Sequence, residues 1–489
     1  MLTLGIAIAA SLLSFASLPY WLPAAIVALR MRVFTRINGE EGIPIPGELV
    51  DATHFKQVYS HPAANGRSRG AALSDLFWYW LSPGPEMHQE HLEPGKRYEE
   101  VARTTGRILA IPMKTAEELT IRCVARVLRE CDLDLPKMVR LRDLMMLVWA
   151  EFYYELVFGV PCPPAARDLI VGNANDVVTA LKCCSLRHME RRHRLTRFLE
   201  AKLLAGEIPH PLPARLSIEE RALYLQGTFF NTAIVQMSES MAHLLMAVAH
   251  RQNVQAKLAA NLEGDRYLDH VIAETLRLYP LFGISHRITS ADISVDERTT
   301  IPKGSVACFK HPEYHRLGFE RPEHFDPDRW EKLSARTANY IPFGVPANRP
   351  CPAQGLAPVT MRAAAREWLR RFAFYSSAGH TRSIPNRGLC LVEPRAREGN
   401  PSLREAWLLF MRLRDRWEDV GRSIKQLILG TYMVWDARRL RLCERYFAAH
   451  DPADFADGAP TGACPYRAQD LSLDHSIPES IQTSGRYSA

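Results

Sequence analysis

The chain opens on an unbroken apolar run: no residue from Leu2 to Leu29 is charged, and Arg30, Arg32 and Arg36 close the stretch. About 20 apolar residues span a bilayer, so the run is long enough for one helix. Pro19 and Pro23 predict a kink or an early end. A cleaved leader usually carries basic residues ahead of its apolar part, and none precedes Leu2, so the run reads as an uncleaved anchor. The arginines after it predict a single-pass anchor with the bulk on the cytoplasmic side. Asn38 to Gly47 carries glycine and proline and reads as a linker. From Glu99 to Arg277 apolar residues recur at three- and four-residue intervals, predicting helices over Val101–Ile111, Thr115–Cys131, Leu141–Phe158 and Ile218–Leu262. Strand-like pieces are short and late, at Ile293–Val295 and Ser305–Phe309. A proline-rich coil from Pro322 to Pro352 precedes a helix expected over Ala357–Phe372. Leu403 to Phe447 is again helical by pattern, with Trp407, Phe410, Trp417, Tyr432 and Trp435 among arginines, and polar coil follows from Asp451. The expected class is mainly α with small β-sheets and an appended C-terminal helical tail. The expected units are an anchor and flank over 1–36, a central domain over 37–396, and an extension over 397–489.

Composition adds little to this picture but excludes some classes. At 489 residues and 47% hydrophobic, the chain can bury a large core. A net charge of +7 is modest for the length and fits an anionic membrane surface better than nucleic acid, for which no motif is present. The ten cysteines form no CxxC pair, so most are expected to be reduced and buried. One is set apart by its surroundings.

Three separated pieces carry the chemistry. The first is Glu274-Thr-Leu-Arg277, whose acid and base share a helix face and can pair. Alone it reads as a surface salt bridge worth under about 1 kcal/mol. The second, Phe325-Asp-Pro-Asp-Arg329-Trp330, places an arginine that could join that pair in a buried network. The third is Pro342-Phe343-Gly344-Val-Pro-Ala-Asn-Arg349-Pro-Cys351-Pro-Ala-Gln-Gly355, leading into a helix. A cysteine before a helix N-terminus lies at the positive end of the dipole, which favours its thiolate. Pro350 and Pro352 lack an N–H, so donors to the sulfur are expected from Ala353 and Gln354.

In order and spacing these pieces resemble the ExxR, PERF-like and cysteine-loop motifs of cytochromes P450. Ile301-Pro-Lys-Gly-Ser305 resembles that family's strand–turn segment, and Val254-Gln-Ala-Lys-Leu258 the start of the helix after the long central one. The resemblance runs over roughly Arg97 to Pro394. It implies the cytochrome P450 fold for 37–396, a haem b cofactor, and Cys351 as the axial iron ligand beside Phe343. It implies that Arg349 and Arg287 hold haem propionates, joined by a basic residue near Arg97, Arg103 or Arg107. Glu274, Arg277 and Arg329 would brace the cysteine loop. It further implies an apolar small-molecule substrate and electrons passed indirectly from NAD(P)H by a flavoprotein reductase or ferredoxin.

The chain departs from the family pattern in two places. Phe343 stands eight residues before Cys351 instead of seven, and Ala347 and Ala353 replace usual glycines, so the turn is expected to differ locally. The acid–threonine pair of the central helix falls on Val235 and Gln236. Gln236 hydrogen-bonds but does not titrate near neutrality; Glu239 and Ser240, one turn on, are the candidate substitutes. The leading expectation is a monooxygenase. The alternatives are a haem-thiolate isomerase or dehydratase needing no reductase, and a catalytically degenerate haem-binding protein. Three further features have bland readings. Arg187 to Arg197 is a membrane-facing patch or a solvated helix face, His88 and His91 are a surface loop, and Cys162-Pro163 and Cys464-Pro465 are structural.

Overall fold

The computed structural model describes residues 2–39, 42–67, 71–380, 389–397 and 399–450. Its centre is built from helices that are apolar on every side, a pattern only a fully buried helix can carry. The clearest is α6 (Leu141–Phe158), with fifteen buried residues. It packs against the long central helix, which begins as α9 (Ile218–Leu225), passes through a π-helical stretch (Gln226–Ala233), and continues as α10 (Ile234–His250). The remaining core helices are α4 (Lys96–Leu109), α5 (Met113–Glu130), α12 (Asp265–Leu278) and α14 (Leu356–Arg371). α7 (Pro164–Leu181) and α8 (Met189–Leu204) lie over the central helix, and α11 (Gln252–Ala260) follows it after a break at Arg251.

Strand structure is more extensive than the periodicity suggests. β1 (Ile43–Ile45) falls inside the expected linker and pairs in parallel with β7 (Val306–Lys310). β4 (Ile284–Thr289) lies antiparallel to β7 and to β2 (Ala64–Gly66), completing a four-stranded sheet. A second sheet joins β3 (Lys137–Arg140), β9 (Leu389–Pro394) and β8 (Phe372–Tyr375), and a third pairs β5 (Ile293–Ser294) with β6 (Thr300–Ile301). Most of these strands are three to six residues long, too short for alternation to register against helical noise.

The two ends of the chain meet. α1 (Leu2–Asn38) runs unbroken through Pro19 and Pro23, where a kink or early end was expected. α15 (Pro401–Leu440) lies alongside it in parallel and supports it from the turn containing the prolines onward. Phe15 meets the Trp417 ring at 4.6 Å, and Arg30 Nη1 donates to Gln426 Oε1 at 2.6 Å. α16 (Leu442–His450) turns back onto α3 (Ala72–Leu81), stacking Tyr446 and Phe447 on Trp78 at 5.3 and 5.6 Å. The tail is therefore packed into the body. Its continuation from Asp451, and Cys464, lie outside the described residues.

Gly430 sits at the tightest point of that packing. A Cβ there would lie 2.6 Å from the Phe34 ring and 3.2 Å from Cys183. Gly430→Val is expected to lower stability by about 1–3 kcal/mol through overpacking and to expose the tail to protease. Thermal denaturation with limited proteolysis checks both.

Candidate haem-thiolate site

A cavity of about 2050 Å³ runs through the centre of the fold. Typical small-molecule sites are roughly 300–1,000 Å³, so there is space for a large planar cofactor and a ligand together. Its floor carries Cys351, and among the described residues no other cysteine reaches its wall. The nine described cysteines are all free, as expected of reduced, mostly buried thiols.

The cysteine loop is held by its own backbone. Cys351 N donates to Phe343 O at 3.1 Å, which closes the loop and brings both residues to the cavity. The left-handed residues are Gly344 and Arg349, at φ 73° and 48°, not Ala347 or Ala353. The alanines, which tolerate such a conformation poorly, are thus not the residues that carry it. A turn over 352–355 separates Cys351 from α14, weakening the dipole effect inferred from sequence, which fades within a turn. Ala353 N–H does donate to Sγ, whereas Gln354 N–H goes to Cys351 O at 3.1 Å. Burial outweighs the Ala353 donor and pushes the thiol up to about 11. It is therefore neutral by itself, and a bound cation is what would hold it as thiolate.

Beside it, three guanidiniums converge. Arg67, Arg287 and Arg349 are all buried, and Arg287 and Arg349 had been expected here from the sequence. Arg349 donates to Gln89 O at 2.7 Å and Asn65 O at 2.8 Å and covers the Tyr98 ring at 4.4 Å. Arg287 donates to His286 O at 3.0 Å and lies 3.4 Å from Glu90 Oε2. Arg67 donates to His286 O at 2.9 Å and lies 3.8 Å from the same carboxylate oxygen. Burial, and then the Arg287 charge, pull Arg67 well below the ordinary guanidinium range. Three buried cations share two nearby carboxylates, Glu90 and Glu93, whose Oε2 accepts from Arg67 N at 3.3 Å, and so remain under-neutralised; buried charge of one sign is costly without partners. Two propionates would supply the missing anions. The residues present therefore fit a haem, with Cys351 toward the iron and the arginines toward the propionates.

Arg67, Glu90, His88 and His91 were not singled out as site residues. The two histidines are buried in the cavity wall, not on a surface loop, and burial drives both toward the neutral form, His88 to about 4. No group of metal-ligating side chains occurs among the described residues. The expected basic partners on α4 lie elsewhere. Arg103 and Arg107 are exposed, with Arg107 donating to Thr104 at 3.2 Å, and Arg97 pairs with Glu220 outside the cavity. The basic run after Arg187 is likewise not one face. Arg192 is fully buried against Asp176 at 2.6 Å, and Arg187 stacks on Tyr79 at 3.3 Å.

Val235, Gln236, Glu239 and Ser240 all reach the cavity. The π-helical stretch just ahead of them adds backbone per turn and rotates the following residues, a device common at functional sites. Ser240 Oγ is spent on Gln236 O at 2.8 Å. Glu239 is buried, and burial raises its carboxyl to about 7 against the pull of Arg142, 3.7 Å away, and of Lys182.

Behind the cysteine loop, Glu274 and Arg277 are fully buried, not a surface pair. Glu274 accepts from Arg277 at 2.8 and 2.9 Å, from Arg329 Nε at 3.1 Å, from Trp330 Nε1 at 3.0 Å and from Asp326 N at 3.0 Å. Arg277 reaches His315 O at 3.3 Å, and His315 Nε2 accepts from Ile341 N at 3.0 Å, where the cysteine loop begins.

A helical body around such a cavity, with a thiol on a loop before the last core helix, has the layout of a haem-thiolate protein. The family model for cytochrome P450 matches residues 185–397. Cytochrome P450 3A2 of Rattus norvegicus is 27% identical over 206 residues, 38% of this chain and 40% of that protein. Cytochrome P450 3A12 of Canis lupus familiaris is 30% identical over 157 residues, 28% of this chain and 31% of that protein. These alignments span two fifths or less of the relatives' length. A zebra fish cytochrome P450 with progesterone superposes with a TM-score of 0.57 at 17% identity, covering 70% of this chain and 92% of that one. A retinoic acid-bound cyanobacterial P450 gives 0.56 at 15% identity, covering 70% and 88%. Residues 185–397 match the cytochrome P450 family, and the chain has the cytochrome P450 fold.

Proposed function

We propose that the chain is a membrane-associated haem-thiolate monooxygenase. It would oxidise an apolar small molecule with dioxygen and electrons passed from a separate reductase. The observation that carries this reading is the shared cavity, where the Cys351 thiol lies with the buried Arg67 and Arg349, and Arg287 is buried behind them against Glu90. When bound, haem supplies dioxygen activation, assisted by the electron push of a thiolate ligand. Cys351 holds the iron, and the Ala353 N–H tunes its sulfur. The arginines orient the propionates, and the apolar walls keep water out. Glu239, with a carboxyl near 7, takes up and returns a proton at its carboxylate oxygens at neutral pH, which Val235 and Gln236 do not.

Residues 37–396 form the haem domain in this reading, with 1–36 as anchor and 397–489 as extension. α1 is long and apolar enough to cross a membrane, and Arg30, Arg32 and Arg36 would keep the body on the cytoplasmic side. On α15, which packs along α1, Trp407, Leu409, Phe410 and Leu413 are exposed. That face suits the lipid surface beside the anchor.

The purified protein is expected to bind one haem and give a thiolate-type ferrous–carbon monoxide band. Substrate oxidation is expected to stop when the reductase is withheld. Turnover that persists without reductase or NAD(P)H would replace this reading with an isomerase or dehydratase, and no thiolate band at all would remove the iron site from it.

A further inference from the structure

Apart from the arginine cluster, the cations on the cavity wall include Lys182. Lys182 directly follows α7, and its backbone is firmly held: its N–H donates to Val178 O at 3.2 Å, and its carbonyl accepts from Gln426 Nε2 at 2.8 Å. Gln426 in turn takes Arg30 Nη1 of α1 on its Oε1 at 2.6 Å. The next residue, Cys183, sits at φ 55° and turns the chain sharply away. The lysine side chain is walled in by protein yet retains open surface, because the space it faces is the cavity. Its ammonium has no hydrogen-bond or ion-pair partner among the described residues. The arginine cluster, by contrast, is tied to Glu90 and to backbone carbonyls. The strongest electrostatic neighbours of Lys182 are Glu239, Cys184 and Cys183, none of them shared with Arg67.

Glu239 does not satisfy this cation. Its oxygens stand 3.7 Å from Arg142 Nε and 3.9 Å from His243 Nε2, and neither accepts a hydrogen bond. Arg142 is also met by Asp143 at 3.3 Å, so the nearest counter-charge left to Lys182 is Glu239, which makes no ion pair with it and carries no charge when protonated. Trp80, Leu81, Val177, Leu181 and Ala233 line the same cavity and give it apolar wall. A lone cation facing an apolar cavity is costly and is matched by an anion on an otherwise apolar ligand.

We propose that Lys182 binds the carboxylate of an amphipathic substrate, a long-chain carboxylic acid whose hydrocarbon body fills the apolar part of the cavity. This rests on the reading of the cavity as the substrate site. Lys182 is thus a specificity-determining residue, and it sets the acid group at a loop fixed to both terminal helices.

The test compares dodecanoic acid with its methyl ester, titrated below micellar concentrations into the haem-loaded full-length protein. Binding is followed by calorimetry and, separately, by the Soret shift. The wild type is expected to bind the acid at least about tenfold more tightly than the ester, the scale of one charge-assisted contact. Lys182→Gln is expected to equalise the two ligands with ester affinity unchanged, and Lys182→Arg to keep the preference. Equal affinities in the wild type, no binding of either ligand, or an acid preference surviving in Lys182→Gln would each overturn the proposal. The ferrous–carbon monoxide band is read independently, so loss of the thiolate site is distinguished from loss of the acid preference seen by calorimetry.

Discussion

Cys351→Ala is expected to abolish the thiolate-type ferrous–carbon monoxide band while leaving the protein folded. The change removes one buried sulfur and its contact with the Ala353 N–H, a loss in the ordinary range of about 1 kcal/mol for a point substitution. No other described cysteine lines the cavity, so no second thiol is at hand to take its place. The arginines and the apolar walls remain, and haem is expected to be retained more weakly, with a carbon monoxide band at a position typical of a non-thiolate ligand. Haem content, the carbon monoxide spectrum and circular dichroism are measured on the same preparation. A folded variant with the wild-type band would show that Cys351 is not the ligand.

The second large effect concerns stability. Glu274→Ala leaves Arg277, fully buried, without its carboxylate. Removing one member of a buried ion pair costs about 3–5 kcal/mol, because the remaining charge stays in the interior. The Trp330 Nε1–H and the Asp326 N–H lose their acceptor at the same time, adding about 1–3 kcal/mol for each buried donor left unmade. Against a total stability of about 5–15 kcal/mol, little folded protein is expected. Arg329→Lys provides the contrast: Glu274 and Arg277 keep their pair and the positive charge at 329 stays, while the Nε donation to Glu274 at 3.1 Å and those to Glu320 O at 2.8 Å and His324 O at 3.1 Å are lost. Its urea midpoint is expected to fall far less. An unfolding free energy lowered by less than about 1 kcal/mol in Glu274→Ala, the value of an exposed pair, would mean the network does not brace the fold.

Several parts of this architecture are legible along the chain because local pattern and global fold agree. The buried helix α6 is apolar at nearly every position, and the helix after the cysteine loop was expected over 357–372 and lies at Leu356–Arg371. β1 shows the opposite case. Glycine and proline around it signal a linker, yet Ile43 and Ile45 are buried because β7 offers it an open edge. Only a partner some 260 residues away in sequence makes that segment a strand. The basic run Arg187–Arg197 is similar, since charge alone does not tell a solvated arginine from Arg192, whose counter-ion Asp176 comes from the preceding helix.

The site divides in the same way. Cys351, Phe343, Arg349, Arg287, Gln236 and Glu239 were found from the sequence, and all reach the cavity or its arginine cluster. Arg67, Glu90 and Lys182 were not found, and the family match, which starts at residue 185, does not reach them. Arg103 and Arg107 face outward from α4, since helix rotation is set by which side packs. The sequence by itself determined the mainly helical class, the apolar first helix and the collinear pieces around Glu274, Arg329 and Cys351, because each is written in neighbouring residues. Only the tertiary structure decided which charges are buried and which oppose one another. Burial depends on what distant segments bring to the same point, and that is what sets Arg67 beside Glu90 and leaves Lys182 facing an open cavity without a partner among the described residues.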